Sequence, residues 1–323
     1  MAVPATTARY HLPDFTRHLR LNLAIAQMLK GAPEWFREGT QIASVYGCFP
    51  PAMWNGGRPM GGIRCEDAFI DNVLHAFNDQ GIPLRFTFTN PLIREEHLSD
   101  PFCNKLMKMA NNGLNEVIVF SEVLEQYIRS EYPKYKITSS TCKRLTDPEA
   151  IIAELNKDYH VVVLDYDVNN KWEVLDRLPH PEKIEVLASS PCFPNCQRRT
   201  KEYETCGLQQ IYYNEHLKKF PNTPFRMSDY SDVTMADFEC PAMHRTVFDI
   251  VNLPHHISPE LIYGEYLPRG INQFKLSGRG GSKLALIELY SYYLFRPEMR
   301  DKARFMLLHN LDRMGDIQID SRV

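Results

Sequence analysis

Residues 65–90 read CEDAFIDNVLHAFNDQGIPLRFTFTN, an amphipathic run that ends at a glycine and passes directly into a short β-rich segment. In the first part, Ala68, Val73, Ala76 and Phe77 fall on one face of a helix. The second part, 82–90, is dense in branched and aromatic side chains and closes on Thr-Asn-Pro. A helix feeding a strand is half of a βαβ unit, and the same alternation extends in both directions. Strand-like runs stand at 42–48 (IASVYGC), 115–121 (NEVIVFS), 135–141 (YKITSST), 160–167 (HVVVLDYD) and 183–189 (KIEVLAS). Helical patterns separate them, one starting at Asp147-Pro148-Glu149 and another ending near Asn112-Gly113. A further strand is expected at 271–280 (INQFKLSGRG), followed by a long helix from Ser282, and the span 225–253 has room for one more. Strands alternating with helices imply parallel pairing through right-handed crossovers.

Eight strands predict an α/β fold, a (β/α)8 TIM-like barrel over residues 41–323, with residues 1–40 as an N-terminal helical extension packed against it. A dinucleotide-binding sheet is disfavoured, because GGRPMGG lacks the G-x-G-x-x-G spacing and SGRGGSK is not a phosphate-binding loop. In LYSYYLF, near the C-terminus, the aromatics are expected to face the core.

Composition narrows the setting. A chain of 323 residues with 44% hydrophobic residues can build a large core, and its formal charge of −3 offers no general attraction for nucleic acid. No stretch has the length and apolarity of a membrane span, and the N-terminus lacks the apolar core of a signal peptide, so a cytoplasmic protein is expected. In that reducing setting the 8 cysteines are not expected to pair as disulfides. Cys48, Cys65, Cys103 and Cys142 sit in or beside apolar runs and read as buried thiols acting as small hydrophobes.

The remaining four are grouped. SSPCFPNCQRRTKEYETCG places Cys192, Cys196 and Cys206 directly after the strand at 183–189, and Cys240 follows in DFECPAMHR. In a barrel this is the C-terminal rim, where active sites gather. Four thiolates suit a structural zinc or a four-iron cluster. Only the first pair is closely spaced, which favours a cluster over paired zinc knuckles, and the C-x3-C-x2-C of a radical enzyme fails because Arg199 stands where its third cysteine belongs. Asp165, in LDYDVNN, ends a strand on the same rim, and His244 lies close after Cys240. Arg198, Arg199, Lys201 and Arg279 are the cations available to hold an acidic ligand, since guanidinium binds carboxylate bidentately.

The stretches IEVLASSPCFPNCQRRTKEY, DFECPAMHR and ELIYGEYLPRGINQFKLSGRG resemble the collagenase-like peptidase family, peptidase family U32. Its closing motif is matched by Gly270, Ile271, Phe274, Lys275, Leu276, Gly278 and Arg279. The resemblance implies a TIM-like barrel holding a [4Fe-4S] cluster on Cys192, Cys196, Cys206 and Cys240. It also implies oxygen-independent hydroxylation of a small molecule or a nucleobase, with prephenate as an anionic oxygen donor. On this reading His244, Arg279 and Asp165 are the candidate catalytic residues. The intervals between the cysteines are shorter than in the quinone-ring hydroxylases of the family, and the C-terminal extension of many RNA-modifying members is absent. A small-molecule substrate is therefore expected ahead of RNA. Peptide hydrolysis, as the family name suggests, and a non-catalytic, metal-stabilised partner in a homo- or hetero-oligomer are the alternatives; zinc is the alternative metal.

Overall fold

The structure is a computed structural model that describes residues 4–58, 60–230, 240, 242 and 245–319. Its eight strands are β1 (Ala8–Pro13), β2 (Thr40–Gly47), β3 (Leu84–Phe88), β4 (Glu116–Val119), β5 (Lys136–Ser139), β6 (Val161–Val163), β7 (Ile184–Leu187) and β8 (Gln273–Lys275). Each pairs in parallel with the next, and β8 closes on β1, with Arg9 opposite Gln273 and His11 opposite Lys275. The expected (β/α)8 TIM-like barrel is what forms.

The helices are α1 (Leu19–Gly31), α2 (Asp67–Asn78), α3 (Glu95–Leu98), α4 (Pro101–Met109), α5 (Glu122–Glu131) and α6 (Pro148–Leu155). After them come α7 (Trp172–Leu175), α8 (Arg199–Lys219), α9 (Val247–Ile250), α10 (Pro259–Leu261), α11 (Lys283–Tyr293) and α12 (Arg300–Arg313). Local signals set several boundaries. Asp147 caps α6 by accepting from Ala150 N at 2.9 Å, with Pro148 in the first turn. The turn after α4 uses Gly113 at φ 78, a left-handed conformation that only glycine adopts freely.

Three expectations are corrected. Residues 1–40 are not a helical extension: Ala8–Pro13 are the first barrel strand and α1 is the first crossover helix. Tyr10 and Leu12 are fully buried while His11 points the other way, the alternation of a strand whose polar Arg9 and His11 hide it beside a strong helical pattern. The span 225–253 holds no strand among its described residues, and none is needed, because Glu185 of β7 pairs directly with Gln273 of β8. The long C-terminal helix is two, broken ahead of Pro297. On α2 the buried face is Ile70, Val73, Leu74 and Phe77; Ala68 is exposed. Tyr290, Tyr293, Leu294 and Phe295 lie in the core as expected.

Aliphatic and aromatic side chains fill the layer between strands and helices. The barrel lumen is filled differently. Arg85 of β3, with no exposed surface, pairs with Glu185 of β7 at 2.5 Å and Glu116 of β4 at 3.0 Å, and donates to Thr138 Oγ1 of β5 at 2.7 Å. His11 of β1 reaches Ser44 of β2 at 2.7 Å, Gln273 of β8 at 3.3 Å and Glu185 at 3.2 Å. Side chains from seven strands can meet only on the barrel axis, so an ion-pair layer plugs the position usually held by branched apolar residues. Burial alone would raise Glu185, but Arg85, His11 and Lys275 hold it down at about 2.

This layer predicts acid sensitivity. Burial lowers His11 to about 3 and His256 to about 4, from an ordinary 6.5. The unfolded chain therefore takes up these protons first, and stability present above pH 6.5 is lost as the pH falls toward those values. A second loss, from Glu185, sets in below about pH 4.5. Urea midpoints measured between pH 8 and pH 4 should fall steadily below pH 6.5, and less steeply in His11→Gln; a flat profile from pH 7 to pH 5 would contradict the assignment.

No helix among the described residues is long and apolar enough to cross a membrane.

Candidate functional site

The C-terminal ends of the strands open onto one mouth, and its scaffold begins after β6. There Asp165, Tyr166, Asp167 and Val168 make a tight turn, with Asp165 Oδ1 accepting from Asp167 N at 2.9 Å. The turn grips the cysteine loop after β7: Tyr166 donates to Phe193 O at 2.8 Å, and Asp167 Oδ1 accepts from Asn195 N at 2.9 Å. Asn195, between Cys192 and Cys196, sits at φ 52, in the left-handed region that Asn tolerates better than most residues. Asp165 also receives Arg199 Nη1 on both oxygens, at 2.9 and 2.8 Å. Arg199 is buried with its guanidinium 4.2 Å from the Tyr166 ring. A buried ion pair of this kind fixes position more than it adds stability. Asp165 and Arg199 thus serve each other and the start of α8; neither lines the cavity described below. The cations expected as a group are divided, because Arg198 and Lys201 are exposed on the outside of the loop.

Helix α8 then crosses to the loops after β2 and β3 through polar contacts. Asn55 donates to Gln210 Oε1 at 3.3 Å, Asn214 to Pro51 O at 3.2 Å, and Asn90 to Gly207 O at 3.0 Å. A side chain at Gly207 would strike the Asn90 amide, so glycine is what lets α8 lie this close. Gly207→Ala should cost about 1–3 kcal/mol in urea unfolding. Gly264→Ala, where nothing stands within 4 Å, should stay near wild type. Equal stabilities for the two variants would contradict this packing.

Between the loops after β1, β2 and β8 lies a cavity of about 260 Å³, lined by Asp14, Arg17, Cys48, Asn55, Arg58 and Arg279 among others. Arg279, half-buried, donates to Asn55 Oδ1 at 3.0 Å and also to Thr87 Oγ1 and Gly56 O, bracing the β8 loop against the β2 and β3 loops. Burial lowers the pKa of Arg279, and Arg58 lowers it further, so the two guanidinium groups feel each other. Arg58 is paired with Glu202 of α8 at 2.8 Å. Asp14 spends Oδ1 on the turn after β1, accepting from Thr16 N and Arg17 N at 3.2 and 2.9 Å. Three arginines face two carboxylates, Asp14 with one oxygen committed and Glu202 paired with Arg58, which leaves a surplus of positive charge around the cavity, a setting for a small anion.

Arg58 also connects the cavity to the thiols. Burial works against its charge, while Glu202, Cys192 and Cys206 favour it, which places both sulfurs within electrostatic reach of this one guanidinium. Cys206 is 1% exposed and burial pushes its thiol up to about 12; Cys192 is pushed up by burial, with Arg58 and Arg199 opposing. Cys196 and Cys240 are half-buried, and Arg245, shortly after Cys240, donates to Pro191 O at 2.8 Å and packs on the Phe193 ring. Arg245 thereby ties its own segment to the cysteine loop. Among the described residues, no three of His, Cys, Asp and Glu stand close enough for a single metal ion. Cys192 and Cys206 both act on the charge of Arg58; His244 lies outside the described residues. Cys48 and Cys103 are buried, in line with their reading as small hydrophobes, though Cys48 also touches the cavity.

Sequence reasoning missed Asp14, Arg17, Asn55 and Arg58. The stretch YGCFPPAMWNGGR, which ends in Arg58, does carry a signal, being a long loop after a strand that closes on Asn-Gly-Gly-Arg. Asp14 and Arg17 carried none once residues 1–40 were read as helical.

No family model matches the chain, and no curated protein matches it. A solved structure described as the U32 peptidase Mk0906 is similar in form, with a TM-score of 0.47 and 12% identity over 86% of this chain and 95% of that one. It bears the name of the family that the motifs resemble, but so distant a likeness brings neither substrate nor chemistry to this chain.

Proposed function

We propose that the protein is an iron-sulfur enzyme acting on a small anionic molecule at the mouth of its barrel, an oxygen-independent hydroxylase of the kind its motifs resemble. The observation that supports this best is Arg58, one side chain that lines the cavity and neighbours Cys192 and Cys206. Cys192, Cys196, Cys206 and Cys240 are the thiols that would hold a [4Fe-4S] cluster, which when bound would supply one-electron transfer. The chain's own side chains do the rest. Arg17, Arg58 and Arg279 bind and orient a carboxylate-bearing donor, for which prephenate is the first compound to try. Asn55, fully buried, and half-buried Arg279 hold part of that contact away from bulk water, which makes it stronger. Glu202 keeps Arg58 in place and neutral in sum until an anion arrives.

Peptide hydrolysis by a cysteine is less well supported. Burial raises the pKa of Cys48, Cys192 and Cys206 in the metal-free chain, the reverse of the lowered thiol that a nucleophile needs. A cavity of about 260 Å³ also suits a small molecule better than a peptide or a structured RNA.

Anaerobic purification followed by metal and sulfide analysis tests the proposal. About four iron and four sulfide per chain with a broad visible absorption are expected. A colourless protein with one zinc per chain would leave a metal-stabilised scaffold as the better reading.

A further inference from the structure

We infer that Phe225 is a positioning residue for the arginine-lined cavity, holding in place the wall that carries Arg58 and Met60; this rests on the reading above of that cavity as the site of a small anion. The wall belongs to the loop after β2 and is fixed at two ends. At the first, Gly56 N donates to Thr87 O at 3.1 Å, and the Thr89 backbone stands so close that a side chain at Gly56 has no room. At the second, Cys65 N donates to Pro50 O at 3.0 Å. Between these ends Arg58, Met60 and Gly61 line the cavity. Gly61, Gly62, Ile63 and Arg64 are exposed and lean on little else.

The ties between the two ends run to α8 and to the segment that follows it. Glu202 of α8 holds Arg58 at 2.8 Å. Past the end of α8, buried Phe225 donates from N to Gly62 O at 3.1 Å, and the two residues form an isolated antiparallel bridge. The Phe225 ring lies 5.2 Å from the rings of Tyr213 and Tyr230 and 5.7 Å from that of His216. With Leu217 it belongs to a small apolar cluster apart from the main core, and Met60 packs against that cluster. Phe225 therefore grips the wall twice, through its backbone at Gly62 and through its cluster at Met60. The glycines of the wall make this grip necessary. Gly57 at φ 74 and Gly62 at φ 100 turn the chain out and back in left-handed conformations, and among the described residues nothing stands within 4 Å of a side chain built at Gly62. Bends made by glycine carry no side chains that could lock them. Phe225 does not itself line the cavity, so its effect on a ligand passes through the wall. Where the wall is seated only part of the time, apparent affinity falls by that fraction.

The test is calorimetric titration of the full chain with malonate, comparing wild type with Phe225→Ala, Phe225→Leu, Arg58→Ala, the double variant Phe225→Ala/Arg58→Ala and the control Phe305→Ala, whose ring is exposed. Phe225→Ala should bind malonate at least about tenfold more weakly. Phe225→Leu, which refills the cluster, should recover most of that loss, and Phe305→Ala should match wild type. In the Arg58→Ala background the Phe225 substitution should weaken binding little further, because the two residues act through one wall. Hydrogen exchange without ligand gives a second readout: in Phe225→Ala the amides of 60–65 should exchange at least about tenfold faster, while those of Leu84–Phe88 in β3 stay at the wild-type rate. Wild-type affinity in Phe225→Ala, independent losses that add in the double variant, or unchanged exchange at 60–65 overturns this inference alone. Faster exchange in β3 as well would make Phe225 a general stabilising residue and overturns its positioning role. A wild type that binds no malonate overturns the small-anion reading too.

Discussion

Arg85→Met should destabilise the protein by about 3–5 kcal/mol, the scale expected when one partner of a buried ion pair is removed. Arg85 has no exposed surface and is shared by Glu185 and Glu116, both of them buried. Its loss leaves two carboxylates on the barrel axis, with Lys275, at 3.8 Å from Glu185, and His11 as the remaining partners of one of them. Burial already lowers Lys275 to about 8 and keeps His11 neutral, so neither replaces the guanidinium at neutral pH without cost. Urea unfolding at pH 7.5 measures the loss. Adding Glu185→Leu to Arg85→Met should recover part of it, because an apolar pair of similar volume avoids the unpaired charge. A single variant within about 1 kcal/mol of wild type would mean that the axial network is hydrated and unimportant to stability.

The second large effect concerns the thiols. Cys206→Ser should reduce bound iron at least about tenfold, since even partners of metal ligands change affinity by ten- to hundredfold. Cys206 is the most deeply placed of the grouped cysteines, on α8 beside the Gly207–Asn90 contact, and a serine there leaves helix packing almost unchanged. Unfolding midpoints of the metal-free forms should therefore match within about 1 kcal/mol while iron content diverges. Equal iron content in the two proteins would remove Cys206 from the site.

The fold was legible where each strand was a run of branched or aromatic residues set off by turn signals. Strands β3 to β8 all lie within segments read as strands, and β2 overlaps its segment but starts two residues earlier, at Thr40. The first strand was not, because ARYHLP mixes arginine and histidine among its apolar residues, ends on Pro13 and precedes a stronger helical pattern. That one omission displaced the count, so an extra strand was sought at 225–253. The site was legible as far as chemistry followed sequence neighbours: Cys192, Cys196 and Cys206 share a loop and the start of α8. Contacts across the mouth were not legible. Arg58, Arg17 and Arg279 come from loops after three different strands. Asp165 looked catalytic because it ends a strand on the rim, and its bond to Arg199 shows a positioning role that no spacing could reveal.

The central claim is that the thiols and the arginine-lined cavity form one site joined through Arg58. EPR of the anaerobically reduced protein, titrated with prephenate or a simple dicarboxylate, tests it most directly. The anion should shift the cluster signal in wild type, and Arg58→Ala, which keeps all eight cysteines, should keep the cluster while binding the anion about 10- to 100-fold more weakly, as loss of a charged hydrogen bond implies. A cluster signal indifferent to saturating anion in wild type would show two unrelated features and contradict the account.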